Sequence, residues 1–139
     1  RLALDLGVAD RVRFLGWRPD KGALYRAADA VVFPSRYEPF GTVSLEAWAY
    51  ERPLVTTDAD GPAGLVTPEQ DALMVPREDP DALAAAIRRV VDDRRLAARL
   101  VVAGRTRYHE AYTEAACVAR YLDLFRRLIA DRADARETG

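Results

Sequence analysis

The sequence predicts an α/β fold, a parallel sheet flanked by helices, and two observations carry that reading. Short apolar runs at 12–15, 30–33 and 54–56 each end at turn formers: Gly16, then Pro34, then Asp58 with Gly61 and Pro62. The stretches between them, 20–29 and 41–50, are spaced as helices, with Leu24, Ala27 and Ala28 on one face of the first. Strand, helix, strand, helix, strand is the order parallel sheets require, because a parallel pair can be joined only by a crossover.

Taken in order, residues 1–6 read as the end of a helix closed by Gly7, and 12–15 as the first strand. A further strand over 72–75 follows a loop containing Pro68, Glu69 and Asp71, after which the pattern is wholly helical. Asp79 is a good N-cap with Pro80 behind it, opening a helix whose Leu83, Ile87, Val90 and Val91 form an apolar face. A second helix spans about 94–108. A third starts near Thr113 and turns Val118, Tyr121, Leu122, Phe125 and Ile129 inward to complete the core. The expected domain covers 1–130, and 131–139 is a polar tail, frayed at the end.

Composition narrows the possibilities. A chain of 139 residues, 50% of them hydrophobic, has enough material for one domain with a core and too little for two. The net charge of -1 encodes no general attraction to nucleic acid or an anionic membrane, so an anionic ligand has to be bound locally. Cys117 is the only cysteine, which rules out an internal disulfide or a cysteine metal cluster and fits a reducing compartment. No apolar run approaches the roughly 18–20 residues of a membrane span. The chain begins at Arg1 within a helix pattern, and the expectation is a piece of a longer protein.

The segment that carries chemistry runs from Pro34 to Glu46, a strand end, a tight loop and a helix start. In open α/β sheets ligands bind at the carboxyl ends of the strands. Gly41 lets backbone approach a ligand, and the unpaired N–H groups of the following helix suit a diphosphate. Glu46, one turn in, leans back toward that end and suits vicinal hydroxyls such as those of a ribose. Glu38, an acceptor-only group in the loop, suits hydroxyls of a sugar.

Glu38 and Glu46, with Phe40-Gly41 between them, resemble the paired-glutamate motif of retaining GT-B glycosyltransferases, the group 1 or family 4 type. The order around them matches too. The run from Ala28 to Ser35 resembles the strand before that motif, and Glu46-Ala47 followed by Arg52-Pro53-Leu54-Val55 resembles its exit into the next strand. The similarity runs from about Val12 to Tyr112. It implies a Rossmann-like C-terminal, donor-binding half of a GT-B enzyme that lacks its first strands, with the strand order 3-2-1-4-5-6 of such sheets. The 12–15 strand should then not neighbour the 30–33 strand.

By that resemblance Glu38 is the catalytic candidate and contacts the transferred sugar, and Glu46 contacts the ribose. The backbone of Phe40, Gly41 and Thr42 meets the donor's sugar and phosphates, Trp17 and Arg18 approach the base, and Arg36 is a phosphate candidate. The implied function is transfer of a sugar from a nucleotide-sugar donor with retained anomeric configuration, without metal or other cofactor. The acceptor, a glycan, lipid or small molecule, is bound by an N-terminal domain outside this chain, which would leave the piece inactive alone. Polysaccharide or glycan biosynthesis in the cytoplasm is the expected setting, with membrane association through that other domain and no nucleic-acid partner.

Departures from the family pattern are specific. Glu51 stands where a glycine usually closes the motif helix, and the later loop keeps Gly61 but has Gly64 in place of an acid. Other residues have plainer readings. Lys21, Arg26 and Arg52 read as surface charges, and Tyr25, Trp48 and Tyr50 as packing aromatics. His109 reads as an exposed group near a helix end and Cys117 as a small buried residue. The alternative to the enzyme is a non-catalytic nucleotide-sugar-binding or partner-binding module of the same fold. A dinucleotide oxidoreductase would need a G-x-G-x-x-G turn, and the chain contains none.

Overall fold

The structure, a computed structural model, describes residues 1–137. A first short helix α1 (Leu2–Asp5) and a 3-10 turn (Ala9–Arg11) precede α2 (Lys21–Ala27). Then come β1 (Val31–Phe33), α3 (Thr42–Ala49), β2 (Leu54–Thr57), α4 (Asp60–Leu65) and β3 (Leu73–Val75). Three helices close the chain: α5 (Pro80–Asp92), α6 (Arg94–Ala111) and α7 (Glu114–Glu137). The sheet is parallel in the order β1-β2-β3, with Val32 opposite Val55 and Thr56 opposite Met74.

β2 is the central strand and is buried on both faces, as parallel strands covered by helices are. Its alternation divides the core. Leu54 joins Ala47, Trp48, Leu65, Val66 and Ala72 on one face. Val55 joins Leu73, Ala86, Val90, Leu96 and Leu100 on the other, under α5 and α6. Trp48, 1% exposed, anchors the first cluster and donates its indole N–H to the Asp71 carbonyl at 2.9 Å. The guanidinium of Arg107 lies over the same ring, 5.8 Å from its centroid, and bonds the buried Asp71 carboxylate at 2.8 Å. Asp79 caps α5 as its sequence position predicts, accepting from the Ala82 N–H at 2.8 Å, and Asp93 caps α6 through Arg95 and Leu96.

Six expectations are corrected. Residues 12–15 do not neighbour β1, as the resemblance implies, but they form no strand either: no parallel partner lies beside them among the described residues, and Phe14 is 89% exposed. An apolar run supplies burial energy only when something covers it. The turn-rich stretch before β3 contains α4, which begins at Asp60 and tolerates Pro62 because the first helical N–H groups need no intrahelical acceptor. Val91 lies off the apolar face of α5 and is exposed.

The inward face expected of α7 is instead outward. Val118, Tyr121, Leu122 and Phe125 are about half exposed or more, and Ile129 is 70% exposed, because α7 packs only along part of α6. The helix also continues through Glu137, into the stretch expected as a polar tail; Thr138 and Gly139 lie outside the described residues. Cys117 is half-buried, a lesser departure from the buried reading.

Candidate functional site

The carboxyl ends of the three strands open onto one edge of the sheet. β1 runs into Pro34, β2 ends at Thr57 and β3 runs into Pro76, and these residues with Arg36, Glu78 and Asp79 line an open cavity of about 320 Å³. Arg77 ties the three strand ends together. Its backbone N–H donates to Asp58 Oδ1 at 2.7 Å, its Nη2 donates to the Asp58 carbonyl at 2.7 Å and to Asp60 at 3.2 Å, and its Nη1 reaches the Arg36 carbonyl at 3.4 Å. The Arg77 backbone N–H outweighs burial and, with help from its guanidinium, holds the Asp58 carboxyl below the usual carboxylate range. No sequence pattern marked Arg77; its role comes from the convergence of loops far apart in the chain.

Beside this cavity the Glu38 loop turns into α3. Gly41 is the N-cap with φ +91°, a left-handed conformation that a glycine adopts without strain. Glu38 folds back over the turn, its Oε1 accepting from the Gly41 N–H at 2.9 Å and the Phe40 N–H at 3.2 Å. Ser44 N–H donates to the Gly41 carbonyl at 2.9 Å, and among the described residues no acceptor is seen for the N–H groups of Thr42 and Val43. The loop is seated on α4: Gly61 N–H donates to the Glu38 carbonyl at 2.7 Å, and a Cβ on Gly61 would lie 2.4 Å from the Phe40 nitrogen. Gly61 is therefore fixed by close approach of the site's own backbone.

Glu46 sits one turn inside α3 with its carboxylate shared between two side chains of α2. Lys21 Nζ donates to Oε1, and the Tyr25 hydroxyl donates to Oε2 at 2.7 Å. Burial pushes the Glu46 pKa up, but the bonds from Lys21 and Tyr25 together outweigh it and leave the group below its ordinary value. Burial, and then the bond to Glu46, push the Tyr25 hydroxyl well above its ordinary value, so it stays a donor. Lys21 and Tyr25 had read as a surface charge and a packing aromatic; the signal that links them to Glu46 is their one-turn spacing on a helix face, which names no partner by itself.

The structure thus gathers Glu38, Phe40, Gly41 and Thr42 at the N-terminus of α3, with Glu46 a turn further in. It does not gather the remaining candidates there. Trp17 is 87% exposed, and Arg18 is held by Asp20 at 2.6 and 2.7 Å, with no bond from either residue to Glu38 or Glu46. Arg36 lines the cavity and pairs with Glu78 at 3.3 Å. Glu78 has a left-handed backbone, φ 62°, a strained conformation for a side-chain-bearing residue. His109 is exposed and stacks edge-on against Tyr108.

Comparison with known proteins places this geometry. Residues 1–107 match the family described as glycosyl transferases group 1. Over 132 residues, 95% of the chain, the sequence is 42% identical to the lipopolysaccharide core biosynthesis glycosyltransferase LpsD of Rhizobium meliloti, of which it covers 38%. The fold matches sucrose-phosphate synthase of Thermosynechococcus elongatus with a TM-score of 0.83 and 36% identity, over 94% of this chain and 33% of that one. It also matches Anabaena HepE, solved in complex with UDP-glucose, with a TM-score of 0.83 and 25% identity over 90% of this chain and 35% of that one. The chain spans less than two fifths of the length of these relatives. From its matched residues, and with the Rossmann-like parallel sheet of its GT-B neighbours, the chain belongs to the glycosyl transferases group 1 family.

Proposed function

We propose that this chain is the donor-binding part of a glycosyltransferase that takes a sugar from a nucleotide-sugar donor and transfers it with retention of anomeric configuration. The observation that carries the proposal is the pair of glutamates at the carboxyl edge of the sheet. Glu38 is held on the N-terminus of α3, and Glu46 is ionised one turn further in. The HepE structure with UDP-glucose supports a nucleotide-sugar donor, and LpsD supports a glycan acceptor.

In this reading the Thr42 and Val43 N–H groups and the positive end of α3 receive the diphosphate, where they stabilise the negative charge that builds up as the sugar departs. Glu38 touches the transferred sugar and is the catalytic candidate. Glu46 receives ribose hydroxyls, and Arg36 is released from Glu78 to meet phosphate. Trp17 and Arg18 reach the base only if the 12–18 segment folds over it. The acceptor is a glycan, a lipid-linked saccharide or a small glycoside bound by another part of the protein, so this chain alone binds donor without turning it over. In this reading the reaction needs no metal, and addition of EDTA is expected to leave the rate unchanged. We place it in cytoplasmic glycan biosynthesis; no helix among the described residues is long and apolar enough to cross a membrane.

The test uses the full-length protein with UDP-, GDP- and ADP-sugars, scoring binding and donor hydrolysis for wild type, Glu38→Ala and Glu46→Ala. Loss of a charged hydrogen-bond partner is expected to weaken one donor by roughly 10- to 150-fold, about 1.5–3 kcal/mol. NMR of the product's anomeric proton reports retention. Absence of nucleotide-sugar binding, or binding indifferent to both glutamates, would leave a non-catalytic module of the same fold as the better reading.

A further inference from the structure

We propose that Lys21 and Tyr25 are positioning residues that fix the Glu46 carboxylate so that the site selects a ribonucleotide over its 2′-deoxy counterpart. The inference rests on the reading of Glu46 as the ribose-facing group. Tyr25 follows Lys21 by one turn on α2, so both side chains leave the same face of that helix. They divide the carboxylate between them, Lys21 on Oε1 and Tyr25 on Oε2. Two donors from one helix fix the plane of the carboxylate, and each oxygen keeps a lone pair for a further donor. Two acceptors held in one plane match two adjacent hydroxyls; a carboxylate free to rotate does not.

Lys21 is also placed against its local preference. It is the first residue of α2, where a cation faces the positive end of the helix dipole. Glu46, across the gap, supplies the opposite charge, and a residue that breaks a local rule in favour of a distant partner is characteristic of a functional position.

The platform that carries the two donors is itself rigid. The Tyr25 ring stacks on Tyr50 with centroids 5.1 Å apart and planes 2° from parallel. Gly22 packs so close to Tyr50 that a Cβ would lie 2.6 Å from its hydroxyl oxygen. The Arg26 guanidinium covers the Tyr50 ring at 5.7 Å, and Arg52 Nη2 donates to the Arg26 carbonyl at 2.9 Å. α2 is thus fixed to the C-terminal end of the helix that bears Glu46. The raised pKa of Tyr25 keeps its proton in place as the donor, consistent with this geometry.

The experiment measures, by calorimetry on the full-length protein, affinities for UDP, ADP and GDP and for their 2′-deoxy forms. The proteins are wild type, Tyr25→Phe, Lys21→Met and Glu46→Ala. Tyr25→Phe removes one oxygen and keeps the stacked ring. Wild type is expected to prefer the ribo form of its nucleotide by roughly 10-fold or more, the range of one well-placed hydrogen bond to a charged group. Tyr25→Phe and Lys21→Met are expected to reduce that preference by about 3- to 10-fold while affinity for the deoxy form stays within about twofold. A purely structural role would weaken both forms equally and leave the ratio unchanged. If the ratio survives both α2 variants but is lost in Glu46→Ala, the positioning role is overturned and the reading of Glu46 stands. If wild type shows no preference, or the preference survives Glu46→Ala, the reading of Glu46 falls and this inference with it.

Discussion

Replacing Glu51 by glycine should stabilise the protein, and the local geometry sets the size of the gain. α3 ends in a Schellman arrangement: Glu51 N–H donates to the Trp48 carbonyl at 3.1 Å and Arg52 N–H to the Ala47 carbonyl at 2.9 Å. That pattern requires a left-handed residue, and Glu51 adopts φ 55°. A side chain there costs roughly 1–2 kcal/mol. Glycine relieves the strain but makes the unfolded chain more flexible, which returns roughly 0.4–1 kcal/mol. The ion pair to Arg105, 3.4 Å long and more than half exposed at both ends, adds little. The net expectation for Glu51→Gly is a gain of about 0.5–1 kcal/mol, or a rise in Tm of about 2–5 °C for a domain of this size. The control is Glu51→Ala, which removes the ion pair and keeps the strained backbone. Inside a helix alanine beats glycine by about 1 kcal/mol; here the order should reverse by a similar amount. Thermal and urea melts of the three proteins, with m-values unchanged, read the difference. Alanine equal to or better than glycine would refute the strain argument.

Other substitutions follow from the same reasoning. Gly104→Ala, at a position where helix propensity alone predicts stabilisation, should cost about 1–3 kcal/mol in a urea melt, because its Cβ would lie 2.2 Å from Trp48 Cδ1. Gly61→Ala pushes a Cβ against the Phe40 backbone, so it should lower nucleotide-sugar affinity at least as much as Glu38→Ala does, read by calorimetry; unchanged affinity would mean that the loop's seat on α4 is irrelevant to binding. The Glu46 carboxyl is held below its ordinary value of 4.5 and Lys21 above its ordinary 10.5, so their mutual stabilisation is complete between those values. It is lost as pH falls through the lowered Glu46 pKa or rises through the raised Lys21 pKa, and the stability difference between wild type and Glu46→Gln should shrink in acid.

Much of this was legible in the chain because local rules and global packing agree there. The turn formers after two of the three apolar runs located β1 and β2, the loop with Pro68, Glu69 and Asp71 located β3 behind it, and Asp79-Pro80 announced α5 by cap chemistry alone. Glu51, where the family pattern usually has glycine, reads as the loss of an easy left-handed cap, yet the backbone keeps that conformation at φ 55°. Two of the failures share one cause. Residues 12–15 and the apolar side of α7 have the pattern of buried elements, but a pattern states that a face prefers burial and does not supply the surface that buries it. α4 was hidden for the opposite reason, since Gly61, Pro62 and Gly64 are all poor helix formers and tertiary contact with the Phe40 loop decides the conformation.

The site shows the same division, and Glu38 is where it matters most. Sequence placed Glu38 on the sugar and gave the backbone N–H groups of Phe40, Gly41 and Thr42 to the donor. The structure has Glu38 itself accepting from Phe40 and Gly41, which at first sight sets the two roles against each other. They are compatible because both bonds go to Oε1. One carboxylate oxygen closes the turn; on the proposed reading the other accepts from a ligand hydroxyl and the anion goes to Thr42 and Val43. On the proposed reading, the bonds that shape the loop also hold the Glu38 carboxylate at a fixed angle before the sugar arrives. Little reorganisation then remains to be done at the moment of reaction, which is the condition under which a charged group contributes most to transition-state stabilisation. Glu38→Gln keeps a carbonyl oxygen for the turn and loses the charge, so it should bind donor more nearly like wild type than Glu38→Ala while turning it over far more slowly. Equal turnover in Glu38→Gln and wild type would show that the charge plays no part in the reaction and that the side-chain oxygen serves only to shape the loop.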